Sequence, residues 1–98
     1  MKVTWSPQAI DRVLEISEYI ALDKPGAALK WAESVFQATE RLVLFPESGR
    51  MVPELGRPEV REILHGGYRI LYRLDPGQVS VLTVRSSREL LDLIESEP

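Results

Sequence analysis

Ninety-eight residues carrying a net charge of −3 suffice for one compact domain, 1–98, and leave no room for a second independent core. The absence of cysteine excludes disulfides, thiolate metal sites and a thiol nucleophile, and a single histidine leaves too few ligands for a metal centre, so no metal and no cofactor is expected. The amino terminus, Met1 to Pro7, lacks the apolar core of a secretion signal, and no apolar run reaches the length of a membrane span; a soluble, cytoplasmic protein without membrane contact is expected.

Ser6-Pro7 predicts a helix start, because a serine oxygen can accept from an orphan amide and proline at the first helical position gives up a donor the helix cannot use. Ile10, Val13, Leu14, Ser17, Ile20 and Ala21 then recur at three- and four-residue steps, opposite Asp11, Arg12, Glu15 and Glu18. The run Asp23-Lys24-Pro25-Gly26 predicts an interruption, with Asp23 or Lys24 preceding a new start. In the second helix Ala28, Trp31, Ala32, Val35, Phe36, Thr39, Leu42 and Val43 form one face. So short a connection makes the pair an antiparallel hairpin whose apolar stripe needs another surface to cover it. Phe45-Pro46-Glu47-Ser48-Gly49-Arg50 ends the helix, and a loop follows through Pro53, Gly56 and Pro58.

From Val60 the period changes from helical to alternating, and Val60–Leu64, Tyr68–Leu74 and Val79–Arg85 read as three strands joined by His65-Gly66-Gly67 and Asp75-Pro76-Gly77-Gln78. An antiparallel meander is expected, with Lys2–Trp5 as a further strand. The first link controls which side chains share a face. A three-residue loop puts Arg61, Ile63, Arg69, Leu71 and Arg73 together, whereas a two-residue turn separates Arg61 from Arg69 and Arg73. Ser87 to Ser96, with Leu90, Leu91 and Ile94, is a candidate for a short C-terminal helix. The fold class expected is α+β: an N-terminal helical hairpin packed on a small twisted antiparallel sheet.

Most catalytic chemistries are missing their parts. His65 sits in a glycine turn, where an exposed turn residue is the preferred reading, and Ser86-Ser87 lacks the glycine-flanked elbow of a hydrolase nucleophile. Trp5 and Trp31 fall where core residues would, and Glu62 reads as a cross-strand partner for Arg61 or Arg69 rather than a proton acceptor. The charge distribution is uneven. Val60 to Arg85 carries four arginines (61, 69, 73 and 85) against Glu62 and Asp75, while Arg88 is followed by the acidic Glu89, Asp92, Glu95 and Glu97. A solvated face with salt bridges and a guanidinium surface for phosphates or carboxylates both fit this pattern, and patterning does not decide between them.

The run Arg61-Glu62-Ile63-Leu64-His65-Gly66-Gly67-Tyr68-Arg69-Ile70-Leu71-Tyr72-Arg73 resembles the signature hairpin of RelE/ParE toxins. Trp5-Ser6-Pro7-x-Ala9, Tyr19-Ile20-Ala21, Phe45-Pro46-x-x-Gly49-Arg50 and Val52-Pro53-Glu54-Leu55 are similar to the family pattern in the same order, so the resemblance covers nearly the whole chain. It implies the toxin of a type II toxin–antitoxin system, of the plasmid or chromosomal stabilisation kind, with a cognate antitoxin as partner in a hetero-oligomer. ParE-like members inhibit DNA gyrase; RelE-like members cut messenger RNA on the ribosome. In the nuclease, Arg69 matches the Y-R arginine and Arg88 a terminal arginine, which makes these two the catalytic candidates of a RelE-like reading. The first-strand positions that hold lysines in the nuclease are Val60 and Glu62 here, and Arg85-Ser86-Ser87-Arg88 supplies neither histidine nor tyrosine. Arginine moves protons poorly, so a gyrase inhibitor without catalysis is favoured, with the ribosome-dependent nuclease as the alternative and a non-toxic antitoxin-binding module as a second one. Arg61, Arg69, Arg73, Arg85 and Arg88 are the residues expected to contact target or antitoxin.

Overall fold

A computed structural model describes residues 1–88. Two helices, α1 (Pro7–Ala21) and α2 (Pro25–Glu40), lie against a five-stranded sheet of β1 (Lys2–Trp5), β2 (Arg50–Met51), β3 (Val60–His65), β4 (Tyr68–Asp75) and β5 (Gln78–Ser86). The sheet order is β1-β5-β4-β3-β2, and all neighbours are antiparallel except β1 and β5. The sheet is therefore mixed rather than purely antiparallel. The reason is topological: the chain leaves β1 directly into α1, the hairpin carries it to β2 at the far edge, and the strands step back from there until β5 lies parallel beside β1. The candidate C-terminal helix over Ser87–Ser96 extends beyond the described residues.

Ser6 performs two tasks at the β1–α1 junction. Its hydroxyl oxygen accepts the Ala9 amide at 3.0 Å as the N-cap and donates to the Leu82 carbonyl at 3.1 Å, pinning the helix start to β5. The break between the helices falls where expected: α1 ends at Ala21, and Lys24 precedes the new start, with Pro25 and Gly26 in the first turn of α2, where a proline costs nothing because its missing amide would be unpaired anyway. The buried stripe of α1 is Ala9, Val13 and Ile16, while Ile10 and Leu14, expected on it, are exposed. In α2 the face holds through Ala28, Val35 and Thr39, but Phe36 lies at the rim, with its ring centroid 4.6 Å from that of Trp5. The helix gives way to a 3₁₀ turn, Arg41–Val43, which rotates Leu42 inward and Val43 outward.

Two-residue geometry at Gly66-Gly67 settles the register. His65 pairs with Tyr68, Gly66 adopts φ +58°, and Arg61 falls opposite Tyr72. Paired residues share a face, so Arg61, Ile63, Ile70 and Tyr72 look toward the helices, and Glu62, Leu64, Arg69 and Leu71 look away. Between β4 and β5 the register shifts after Leu71, leaving Leu82 as the extra residue of a bulge. The main core fills the helix side with Val13, Ile16, Val35, Leu42, Ile63, Ile70, Tyr72, Val79, Val81 and Val84. A smaller cluster on the outer side joins Val52, Val60 and Leu71 with Leu55 and Leu82.

Candidate functional site

The five arginines singled out in the sequence do not form one surface. Arg69, Arg73 and Arg85 belong to the outer face, Arg85 directly across from Arg69; Arg61 lies on the helix side; Arg88 follows β5 and is exposed. The two-residue turn produced this division.

Arg69 is the most constrained of them. It is 6% exposed, and its Nε donates to Glu62 Oε1 at 2.6 Å while Nη1 and Nη2 grip both oxygens of Glu54 at 2.6 and 2.8 Å. The other oxygen of Glu62 accepts Arg50 Nε at 2.7 Å, so two carboxylates and two guanidiniums close a neutral network around the buried Glu62. The Glu54 hydrogen bonds lead the effects that raise the Arg69 pKa, followed by opposing desolvation and by Glu62; reciprocally, Arg69 holds Glu54 below the ordinary carboxylate range. Breaking such a network by deleting one member leaves an uncompensated buried charge. Arg69→Ala is therefore expected to cost the fold itself.

Neither Glu54, the partner of Arg69, nor Arg50, the second partner of Glu62, was legible as such in the sequence. Both sit in the segment linking α2 to β3, and the short strand β2, which delivers Arg50 opposite Glu62, gave no alternating pattern to read. Glu62 does serve as a cross-strand partner, to Arg69 and not to Arg61.

The remaining candidates are ordered by local contacts. Arg73 donates to Asp75 at 2.7 and 3.2 Å, and Asp75 also accepts the Ser80 hydroxyl; these bonds, Arg73 first, hold the Asp75 pKa down. Arg61 donates from Nη1 to the Gly49 carbonyl at 3.1 Å, while its Nε is buried without a partner among the described residues. That carbonyl belongs to the Phe45–Arg50 loop, where Tyr72 donates to Pro46 O at 2.8 Å and accepts the Gly49 amide at 2.9 Å. A side chain on Gly49 would come within 2.6 Å of the Tyr72 hydroxyl and 2.7 Å of the Glu62 carbonyl, which explains the glycine of the F-P-x-x-G-R run. His65 is half-buried at the end of β3 rather than exposed in the turn, and its Nε2 lies 2.8 Å from Ser34 Oγ. Because that hydroxyl donates to Trp31 O, the imidazole Nε2 must carry the donated proton. Trp31 packs against Tyr68, as a core residue does.

Chemically, the outer face presents paired charge. The two outer nitrogens of Arg69 that would straddle a phosphate already straddle Glu54, and a phosphate would have to displace a carboxylate to reach them. Among the described residues no group of three or more His, Asp or Glu side chains gathers to hold a metal ion.

The sequence profile of the family described as ParE toxin of type II toxin-antitoxin system, parDE, matches residues 3–91. No curated protein matches the chain. In structure the chain is similar to a chain of the chromosomal ParDE toxin–antitoxin system from P. aeruginosa, with a TM-score of 0.76 at 19% identity over 88% of this chain and 95% of that one. It is also similar to a chain of the RelBE2 toxin–antitoxin complex from Mycobacterium tuberculosis, with a TM-score of 0.54 at 22% identity over 87% and 95%. These two likenesses show a shared fold.

Proposed function

Because the chain belongs to the ParE family and is the toxin of a type II toxin–antitoxin system, we propose that a cognate antitoxin holds it in a hetero-oligomer and that, once released, it inhibits DNA gyrase without cutting nucleic acid. The observation that carries the second half is the clasp on Arg69. The family's nuclease branch needs that arginine beside a phosphate, and here Glu62 and Glu54 occupy three of its nitrogens. In-line cleavage of RNA requires stabilisation of a charged phosphorane and a group that moves a proton. His65, the one imidazole, is bonded to Ser34 on the helix side, across the sheet from Arg69. The net charge of −3 likewise suits a protein target better than ribosomal RNA. Such a target places its action in the cytoplasm; among the described residues no helix is long and apolar enough to cross a membrane.

Two assays on the purified toxin test this: gyrase supercoiling with a cleavage-complex readout, and messenger RNA cleavage on programmed ribosomes. Gyrase inhibition relieved by the antitoxin is the expected result. Ribosome-dependent cuts with gyrase untouched would replace it with the nuclease reading and return Arg69 and Arg88 to catalytic candidacy.

A further inference from the structure

Most arginines of the described residues already face a carboxylate. Arg12, Arg50, Arg57, Arg69 and Arg73 each lie within 3.1 Å of an Asp or Glu oxygen. Arg61 and Arg41 have no such partner among the described residues, and they converge on one corner of the molecule. Arg41 begins the 3₁₀ turn that feeds the Phe45–Arg50 loop, and Arg61 holds that loop through Gly49 O. Both are near enough to the Tyr72 hydroxyl to oppose the rise that burial gives its pKa. The Arg61 Nε is a buried, charged donor with no acceptor among the described residues, a costly arrangement.

The surroundings are apolar. Met51 pairs with Arg61 across β2 and β3 and is exposed, and the turn leaving Arg41 displays Val43, Leu44 and Phe45, the last two 77% and 63% exposed. An anionic group alone would satisfy the guanidiniums and leave these side chains in water. We infer that the corner formed by Arg61, Arg41, Val43, Leu44, Phe45 and Met51 receives a protein segment carrying a carboxylate beside apolar side chains, namely an acidic, apolar stretch of the antitoxin. A nucleic acid fits it poorly, since a phosphate backbone offers nothing to four exposed apolar side chains. Glu47, which acts on the same phenol, would also repel an extended polyanion more than a single carboxylate. The inference rests on the antitoxin partnership proposed above.

The test is calorimetric titration of the full-length toxin with the purified product of the short reading frame adjacent to its gene, at several salt concentrations. The R41Q/R61Q double variant should bind about 10- to 100-fold more weakly and with a shallower salt dependence. R57Q, which removes an exposed arginine already paired with Glu59, is the control and should bind as wild type. If R61Q proves unfolded by thermal melting, R41Q alone carries the test, because its side chain is exposed; about a threefold or greater loss is expected. Wild-type affinity in the folded variants would overturn the inference. So would gyrase inhibition lost in the double variant with antitoxin affinity intact, which would assign the corner to the target. No binding by the wild-type toxin would instead overturn the partnership, and the inference with it.

Discussion

The two faces of the sheet are stabilised by different physics. On the helix side, ten side chains from Val13 to Val84 join Ala9 in one apolar core, and the Tyr72 hydroxyl set in it is satisfied by Pro46 O and Gly49 N. On the outer side the described residues bury a smaller apolar cluster, Val52, Val60 and Leu71, and beside it Glu62 is sealed between Arg69 and Arg50, with Glu54 gripping the far side of Arg69. Shape governs the first face, because close packing leaves no room for an extra atom. Charge balance governs the second, because an ion pair removed from water tolerates the loss of neither partner. The difference also bears on function: arginines committed to holding a face together are poorly placed to hold a ligand.

The largest effect is expected where the charge balance is broken. Arg69→Ala leaves Glu62 buried with Arg50, itself half in solvent, as its only cation, and should cost about 3–5 kcal/mol in urea unfolding. The double variant Arg69→Met/Glu62→Leu removes both charges and should recover most of that loss. A single variant within about 1 kcal/mol of wild type would show that the outer face does not depend on the pair.

On the helix side the corresponding break is steric. Gly49→Ala drives a methyl group against the Tyr72 hydroxyl and the Glu62 carbonyl, the latter fixed in β3, and should destabilise by about 1–3 kcal/mol with displacement of the tyrosine visible in its near-UV dichroism. An unchanged melting temperature would mean that the loop yields more easily than its hydrogen bonds imply.

The helical face was the more legible of the two in the sequence. Ser6-Pro7 marked the start of α1, the strands from Val60, Tyr68 and Val79 extend only a residue or two beyond their apolar runs, and Val13, Val35, Leu42 and Ile70 fell in the core. Local patterning encodes these features, since periodicity of 3.6 or 2 needs only neighbouring residues to be read. The outer face was hidden because its network joins residues from three places in the chain, and a carboxylate in a proline-bearing loop, such as Glu54, carries no local sign of its partner. The turn at Gly66-Gly67 was ambiguous for a related reason. Tyr68 sits opposite His65 because of pairing across the whole β3–β4 ladder, and a glycine pair by itself permits either loop length. The candidate arginines were therefore found by type, while the division between structural Arg69 and the uncommitted Arg61 required the register.

The smallest effect separates the faces by pH. Arg69 hydrogen bonds, first among the causes, lower the Glu54 pKa from its ordinary value of 4.5. A carboxylate whose pKa is lower folded than unfolded adds stability above about pH 4.5, and that stability disappears as pH falls through the folded value. Glu54→Gln removes this contribution, so its melting temperature should lie below that of wild type at pH 7, by an amount equivalent to up to about 1 kcal/mol for a partly exposed pair, and the two should converge toward pH 3. Asp75, held down by Arg73 on the same face, loses its own contribution over the same range in both proteins and cancels from the difference. Gly49→Ala offers the contrast: it adds and removes no titrating group, so its deficit should stay constant from pH 7 to pH 4. A Glu54→Gln deficit equally constant across that range would place the carboxylate's role in packing rather than charge and would remove the electrostatic distinction between the two faces at this residue.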